Sequence, residues 1–378
     1  MRVLIALLAS ALAVTGAVSA AASTLALKAP KGTRFGHRID FVGRLAPNRP
    51  GTLVRLFRGR RFVASGKIRR DGTFRIRVFV ANPGPFHAQA AGVSSPEVMV
   101  RIHPLLEARF IGTRVVGERL RLLVRVRPAT AGALRVRVVR GGKQTLAHIF
   151  HGDARVRLGT AALGRLHVRV ETVPRRGYAY VSHSLGVELV PPRLEYGSIS
   201  PAVSELARRL AALHYAVAST SPTFDGDLLE SVYAFQKVDG LPRTGVVDAA
   251  LWTRLERARI PQPRYRSPPD HLEVDKGRQV LLVVHGGEVT LVSPVSTAGI
   301  AGYYTPEGRF AIYRKVVGYD PSPLGVLLNP MYFTGGYAIH GNPSVPPYPA
   351  SHGCVRVPNF VIFRIFGVQP YGETVYVY

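Results

Sequence analysis

The segment "YPASHGCVRVPN", residues 348–359, holds Cys354, the single cysteine of a 378-residue chain. A lone cysteine makes no internal disulfide, so its neighbours decide whether it is a reactive thiol or a filler. They are the residues thiol chemistry needs. His352 lies two positions before it, on the same side of an extended chain. His340 ends the run "YAIH", and Gly353 lets the backbone turn its N–H groups toward a developing oxyanion beside the N–H of Cys354 itself. Arg356, two positions on, suits a substrate carboxylate. A nucleophile, a base and an anion pocket make an acyl-transfer site. Spacing alone leaves open which of the two histidines is the base.

These groups need a frame. From His271 the chain reads as short strands, "HLEVDK", "QVLLVVH" and "EVTLVS", with a Gly286-Gly287 hairpin between the last two. "TPEGRFAIYRKV", "YFTGGYAIHG", a short helix near Pro358–Phe366 and a closing strand "TVYVY" complete a mostly antiparallel β domain, 271–378. His340 and Cys354 are joined by "GNPSVPPYPA", which Pro346, Pro347 and Pro349 stiffen.

Before it, periodicity is helical. Val203, Leu206, Leu210 and Leu213 recur every three or four residues behind Ser200-Pro201, a good helix start. A second helix, 228–238, and a third with Trp252 and Leu255 inward make a small three-helix unit, 197–258. Proline-rich stretches flank it: "VPPRLEYGS", and 259–270 as an extended linker. Asp225 and Asp227 suggest calcium only weakly, since later loop ligands of such a site are missing; no metal and no cofactor is expected.

The region from Leu25 to residue 192 has a period of two, as in "FRIRVFV" and "RLRLLVRVR". Asp71-Gly72 and Gly141-Gly142 read as hairpin turns. Two successive immunoglobulin-like β-sandwiches, 23–103 and 104–192, are expected, serving as spacers because no titratable cluster appears in them. The fold class is therefore multidomain and mainly β.

Fifty Lys+Arg against 23 Asp+Glu give a net charge of +27, which favours polyanions. The start "MRVLIALLASALAVTGAVSAAAS" reads as a signal peptide, 1–22, with Val18-Ser19-Ala20 as cleavage site; an uncleaved membrane anchor is the rival. Export argues against nucleic acid as the partner. It leaves anionic lipid heads or a bacterial wall. An arginine-rich genome would give the same charge without any partner.

Two resemblances sharpen this reading. "LARRLAALHYAV", "FDGDLLESVYAFQKVDGLPRTGVVDAALWTRL" resembles the type 1 peptidoglycan-binding domain. "TPEGRFAIY", "IHG" and "SHGCVR" resemble the L,D-transpeptidase catalytic domain of bacterial wall enzymes. The second resemblance implies Cys354 as nucleophile and His340 as general acid/base. It places Ser351, His352 and Gly353 around them, with Gly341 and Arg356 on the substrate. It also implies peptidoglycan as partner and a stem tetrapeptide as donor. Either 3→3 cross-linking or hydrolysis by an L,D-carboxypeptidase would follow, and a decayed wall-anchoring scaffold is the non-enzymatic rival.

Overall fold

The computed structural model describes residues 22–378. The signal segment expected at 1–22 lies outside the described residues except for Ala22. Among the described residues no helix is long and apolar enough to cross a membrane.

The first β region packs two sheets face to face. The sheet of strands Thr24–Lys28, Arg38–Ala46 and Thr73–Phe79 covers one built on Leu53–Arg58, Gly84–Ala90 and Val98–His103. Alternation makes this work: Phe74, Ile76 and Val78 point inward while Arg75 and Arg77 point out. Asp71-Gly72 is not the hairpin its composition suggests. The strands on either side of it, Arg61–Lys67 and Thr73–Phe79, belong to different sheets. Asp71 instead accepts from the N–H (3.0 Å) and hydroxyl (2.7 Å) of Thr73, bending the chain from one layer to the other. The second β region pairs the Leu105–Gly112, Leu120–Arg127 and Ala154–Leu158 sheet with a four-stranded one. There Gly141-Gly142 does close a two-residue hairpin, since Arg140 pairs with Lys143.

The helical unit comprises α1 (Pro201–Ala212), α2 (Gly226–Val238) and α3 (Ala249–Arg257). Pro201 opens α1, but Ser200 makes no side-chain capping bond. Asp225 and Asp248 do cap: each accepts from the N–H three residues on, at 2.9 and 2.8 Å. Capping accounts for Asp225 without any cation. Trp252, Phe235 and Leu255 fill the interior.

The proline-rich flanks suggest a tethered unit, and the structure shows a docked one. One continuous apolar core runs from Val124 and Val156 through Leu206, Phe235 and Trp252 to Val284 and Val292. The Ala216 N–H donates to Val292 at 2.8 Å, and Val292 donates back to His214. The buried Lys237 ammonium donates to the Val295 carbonyl at 2.9 Å. Burial pushes its pKa down to about 7.

The C-terminal region has two sheets over a shared core that includes Leu272, Met331, Ile339, Val355 and Val375. Pairing is mostly antiparallel with two exceptions. The closing strand Thr374–Val377 runs parallel to His271–Asp275, and Val355–Pro358 runs parallel to Tyr337–Asn342. The helix α4 (Asn359–Ile365) buries Val361 and Ile362 against this core.

Candidate active site

The parallel pair assembles the site. Ile339 is opposite Val355 and His340 is opposite Arg356. Extending that register sets Cys354 beside Ala338. Alternation then puts His340, Cys354 and Arg356 on one face, while Ile339, Val355 and Val357 enter the core. Fourteen residues of sequence collapse to a one-strand offset. All three side chains, with Ser351 and His352, line one cavity of about 760 Å³.

His340 is 3% exposed. Its Nδ1 lies 3.0 Å from the Gly341 carbonyl. A carbonyl only accepts, so Nδ1 carries the proton and Nε2 keeps a free lone pair. Burial, reinforced by the Arg356 charge, pushes the imidazole pKa down to about 4. Cys354 is half-buried. Burial pushes its thiol up, partly offset by the Ala338 N–H and by Arg356. Both shifts favour the uncharged forms, a thiol and a neutral imidazole.

The turn ahead of the cysteine is fixed by Ser351. Its Oγ donates to the Cys354 carbonyl at 2.6 Å and accepts from the Gly353 N–H at 3.0 Å. The Gly353 N–H is therefore committed to Ser351 rather than open to an oxyanion. Gly353 itself is required sterically. Its φ is +129°, and a Cβ there would lie 2.4 Å from the Tyr337 ring and 2.8 Å from the Tyr304 carbonyl. Thr305 seals the back, donating to the Gly353 carbonyl at 2.7 Å while accepting from Ala298 at 3.0 Å.

His352 is partly exposed and meets Tyr303 edge to face, centroids 4.8 Å apart. Arg356 makes no salt bridge among the described residues; its backbone is paired with Ser296. Gly341 does not line the cavity. A Cβ at Gly341 would lie 2.5 Å from Ile362, so its place is under α4, away from the substrate space.

Several wall residues are missed by sequence reasoning. Tyr332 donates to Asp320 at 2.8 Å, and Arg314 reaches the same carboxylate oxygen at 3.1 Å while lying 4.7 Å from the Tyr332 ring. Burial and Asp320 push the Tyr332 phenol up to about 12, so it stays a donor. Tyr332 opens the quoted "YFTGGYAIHG", but its partner Asp320 lies outside every quoted string, so nothing in the spacing pointed to the pair. Tyr337 lies within the quoted "YFTGGYAIHG" and Tyr303 two residues ahead of "TPEGRFAIYRKV", and an aromatic in or beside a motif was the available signal.

Residues 269–377 match the family described as the YkuD L,D-transpeptidase catalytic domain, and residues 200–255 match a peptidoglycan-binding domain. None of the curated proteins compared matches the chain. A solved L,D-transpeptidase from Xylanimonas cellulosilytica is 36% identical, over 50% of this chain and 98% of that one, with a TM-score of 0.47. One from Stackebrandtia nassauensis is 23% identical over 49% and 94%, TM-score 0.32. One from Mycobacterium smegmatis is 13% identical over 73% and 98%, TM-score 0.26. The two family matches identify the chain as one that carries a YkuD L,D-transpeptidase catalytic domain, 269–377, behind a peptidoglycan-binding domain, 200–255.

Proposed function

We propose that the chain is an exported peptidoglycan L,D-transpeptidase that forms 3→3 cross-links through a Cys354 thioester. The observation that carries this is the shared cavity of Cys354 and a neutral His340 whose Nδ1 proton is already committed to Gly341. His340 Nε2 takes the thiol proton as Sγ attacks the carbonyl carbon of the third stem residue. The C–N bond to the terminal D-alanine breaks, and His340 returns the proton to the departing amine. An acceptor side-chain amine then attacks the thioester. It loses a proton to His340, the C–S bond breaks, and the thiol is restored.

The remaining groups serve this step. Because Ser351 occupies the Gly353 N–H, the Cys354 N–H receives the oxyanion. Arg356, without an ion pair among the described residues, takes a substrate carboxylate. Neutral partners suit a general-base step, since no stable ion pair has to be discharged before attack. The docked helical unit adds wall affinity and so raises local substrate concentration. Hydrolysis of the same thioester, an L,D-carboxypeptidase reaction, differs only in the acceptor. Product analysis on purified tetrapeptide muropeptides separates the two: 3→3 dimers support the proposal, and shortened monomers alone reassign the chain as a carboxypeptidase. No product from folded protein sinks both.

A further inference from the structure

The positive charge is not spread over the chain. Residues 24–192 hold 32 Lys+Arg against 8 Asp+Glu, while residues 193–378 hold 17 against 15. A genome-wide arginine bias would load both halves alike, and the C-terminal half is nearly balanced. The excess belongs to the two β regions.

Within them one face concentrates it. On the sheet of Leu105–Gly112, Leu120–Arg127 and Ala154–Leu158, Arg121 stands directly opposite Arg157, and Leu123 lies between Arg109 and Arg155. All four arginines are exposed, and none makes a salt bridge among the described residues. Like charges directly opposite on a sheet are destabilising. The other sheet of the same region shows the contrast: there Glu171 holds Arg135, Arg137 and Arg169 together. An uncompensated cluster beside a compensated one is a surface built for an external anion.

The geometry points to a phosphodiester polymer of the wall as the occupant of the Arg109–Arg121–Arg155–Arg157 face. Strands lie about 4.8 Å apart and alternate residues about 6.8 Å apart, so the four guanidinia share a patch only about 10 Å across. Guanidinium forks grip phosphate oxygens in pairs. Glu107, opposite Arg125, and Asp153, held by Arg127, both lie at one edge of the patch, so the four arginines themselves keep no carboxylate partner. A patch this narrow matches the width of a single phosphodiester chain, whereas a planar bilayer would need a broad basic face. The choice of a wall polymer rests on the wall location proposed above; the binding itself does not depend on the chemistry at Cys354.

The test uses the full chain and no activity readout. Cosedimentation with poly(glycerol phosphate) compares the native protein, R121S/R155S/R157S, and the control R309S/R364S, which removes charge from the balanced half. The triple variant is expected to lose at least about tenfold in affinity, and its salt dependence flattens by roughly 0.7–0.9 per lost phosphate contact. The control stays near native. The triple variant's unfolding temperature should equal or exceed the native one, because the Arg121–Arg157 like-charge pair is gone, which separates lost binding from lost folding. Native-like binding by the triple variant overturns the proposal. So does binding to phosphatidylglycerol vesicles without binding to the polymer.

Discussion

The Arg243 guanidinium, in the turn between α2 and α3, donates to the Pro347 carbonyl at 2.8 Å. A side chain of the helical unit thus holds the loop that carries the chain from His340 to Cys354. The same guanidinium reaches the Arg278 carbonyl at 3.2 Å, tying that loop to the hairpin below. Ser296 secures the next carbonyl, Tyr348, at 2.9 Å.

Arg243→Ala should therefore slow acylation on soluble muropeptides, where wall binding plays no part. A lost charged hydrogen bond of about 1.5–3 kcal/mol sets the upper limit at about tenfold to a hundredfold. The loss should appear in kcat more than in KM, with partial recovery in Arg243→Lys. An unchanged kcat would mean the loop keeps its place without the helical unit.

His340→Ala should lower acylation by about 10²–10⁴-fold, the usual cost of a lost general base. His352→Ala, which loses only the Tyr303 contact, should cost far less. Single-turnover rates decide, and the reverse order would hand the base role to His352.

The pH profile follows from the two shifted groups. His340 is held down at about 4, so it stays a competent base well below the ordinary histidine range, and the acid limb of kcat/KM should fall near pH 4 rather than 6.5. The thiol is pushed up, so alkylation of Cys354 by a neutral reagent should keep rising beyond the usual thiol range. The linkage sign agrees. The unfolded chain binds more protons at His340 between about pH 4 and 6.5, so stability is full above that window and falls as pH drops through it. An acid limb near 6.5 would show that His340 is not the buried neutral group described.

Gly353→Ala should abolish acylation while leaving far-UV circular dichroism native. A Cβ at φ +129° meets the Tyr337 ring and the Tyr304 carbonyl, so the turn before the sulfur must shift. Retained activity would remove Gly353 from the geometry.

Much of this was legible in the sequence because the relevant signals are local. Period-two arginine strands, the three helices and the string around Cys354 each fit within a dozen residues. What escaped is non-local. Composition at Asp71-Gly72 cannot tell a hairpin from a crossing between layers. Proline at 261 and 263 says the backbone is extended, but not that Lys237 is buried against Val295. Gly341 adjoins His340 in sequence, yet α4 packing, invisible in the motif, sets its role. Ser351 consuming the Gly353 N–H depends on a turn geometry that residue types alone do not specify.

Intact-protein mass spectrometry tests the central claim most directly. The chain is incubated with a carbapenem, a strained acyl donor bearing the carboxylate that Arg356 would pair with, and its mass is read before and after. The account predicts a single added carbapenem mass on native protein and none on folded Cys354→Ala. An adduct that survives Cys354→Ala, or no adduct on folded native protein, would contradict it.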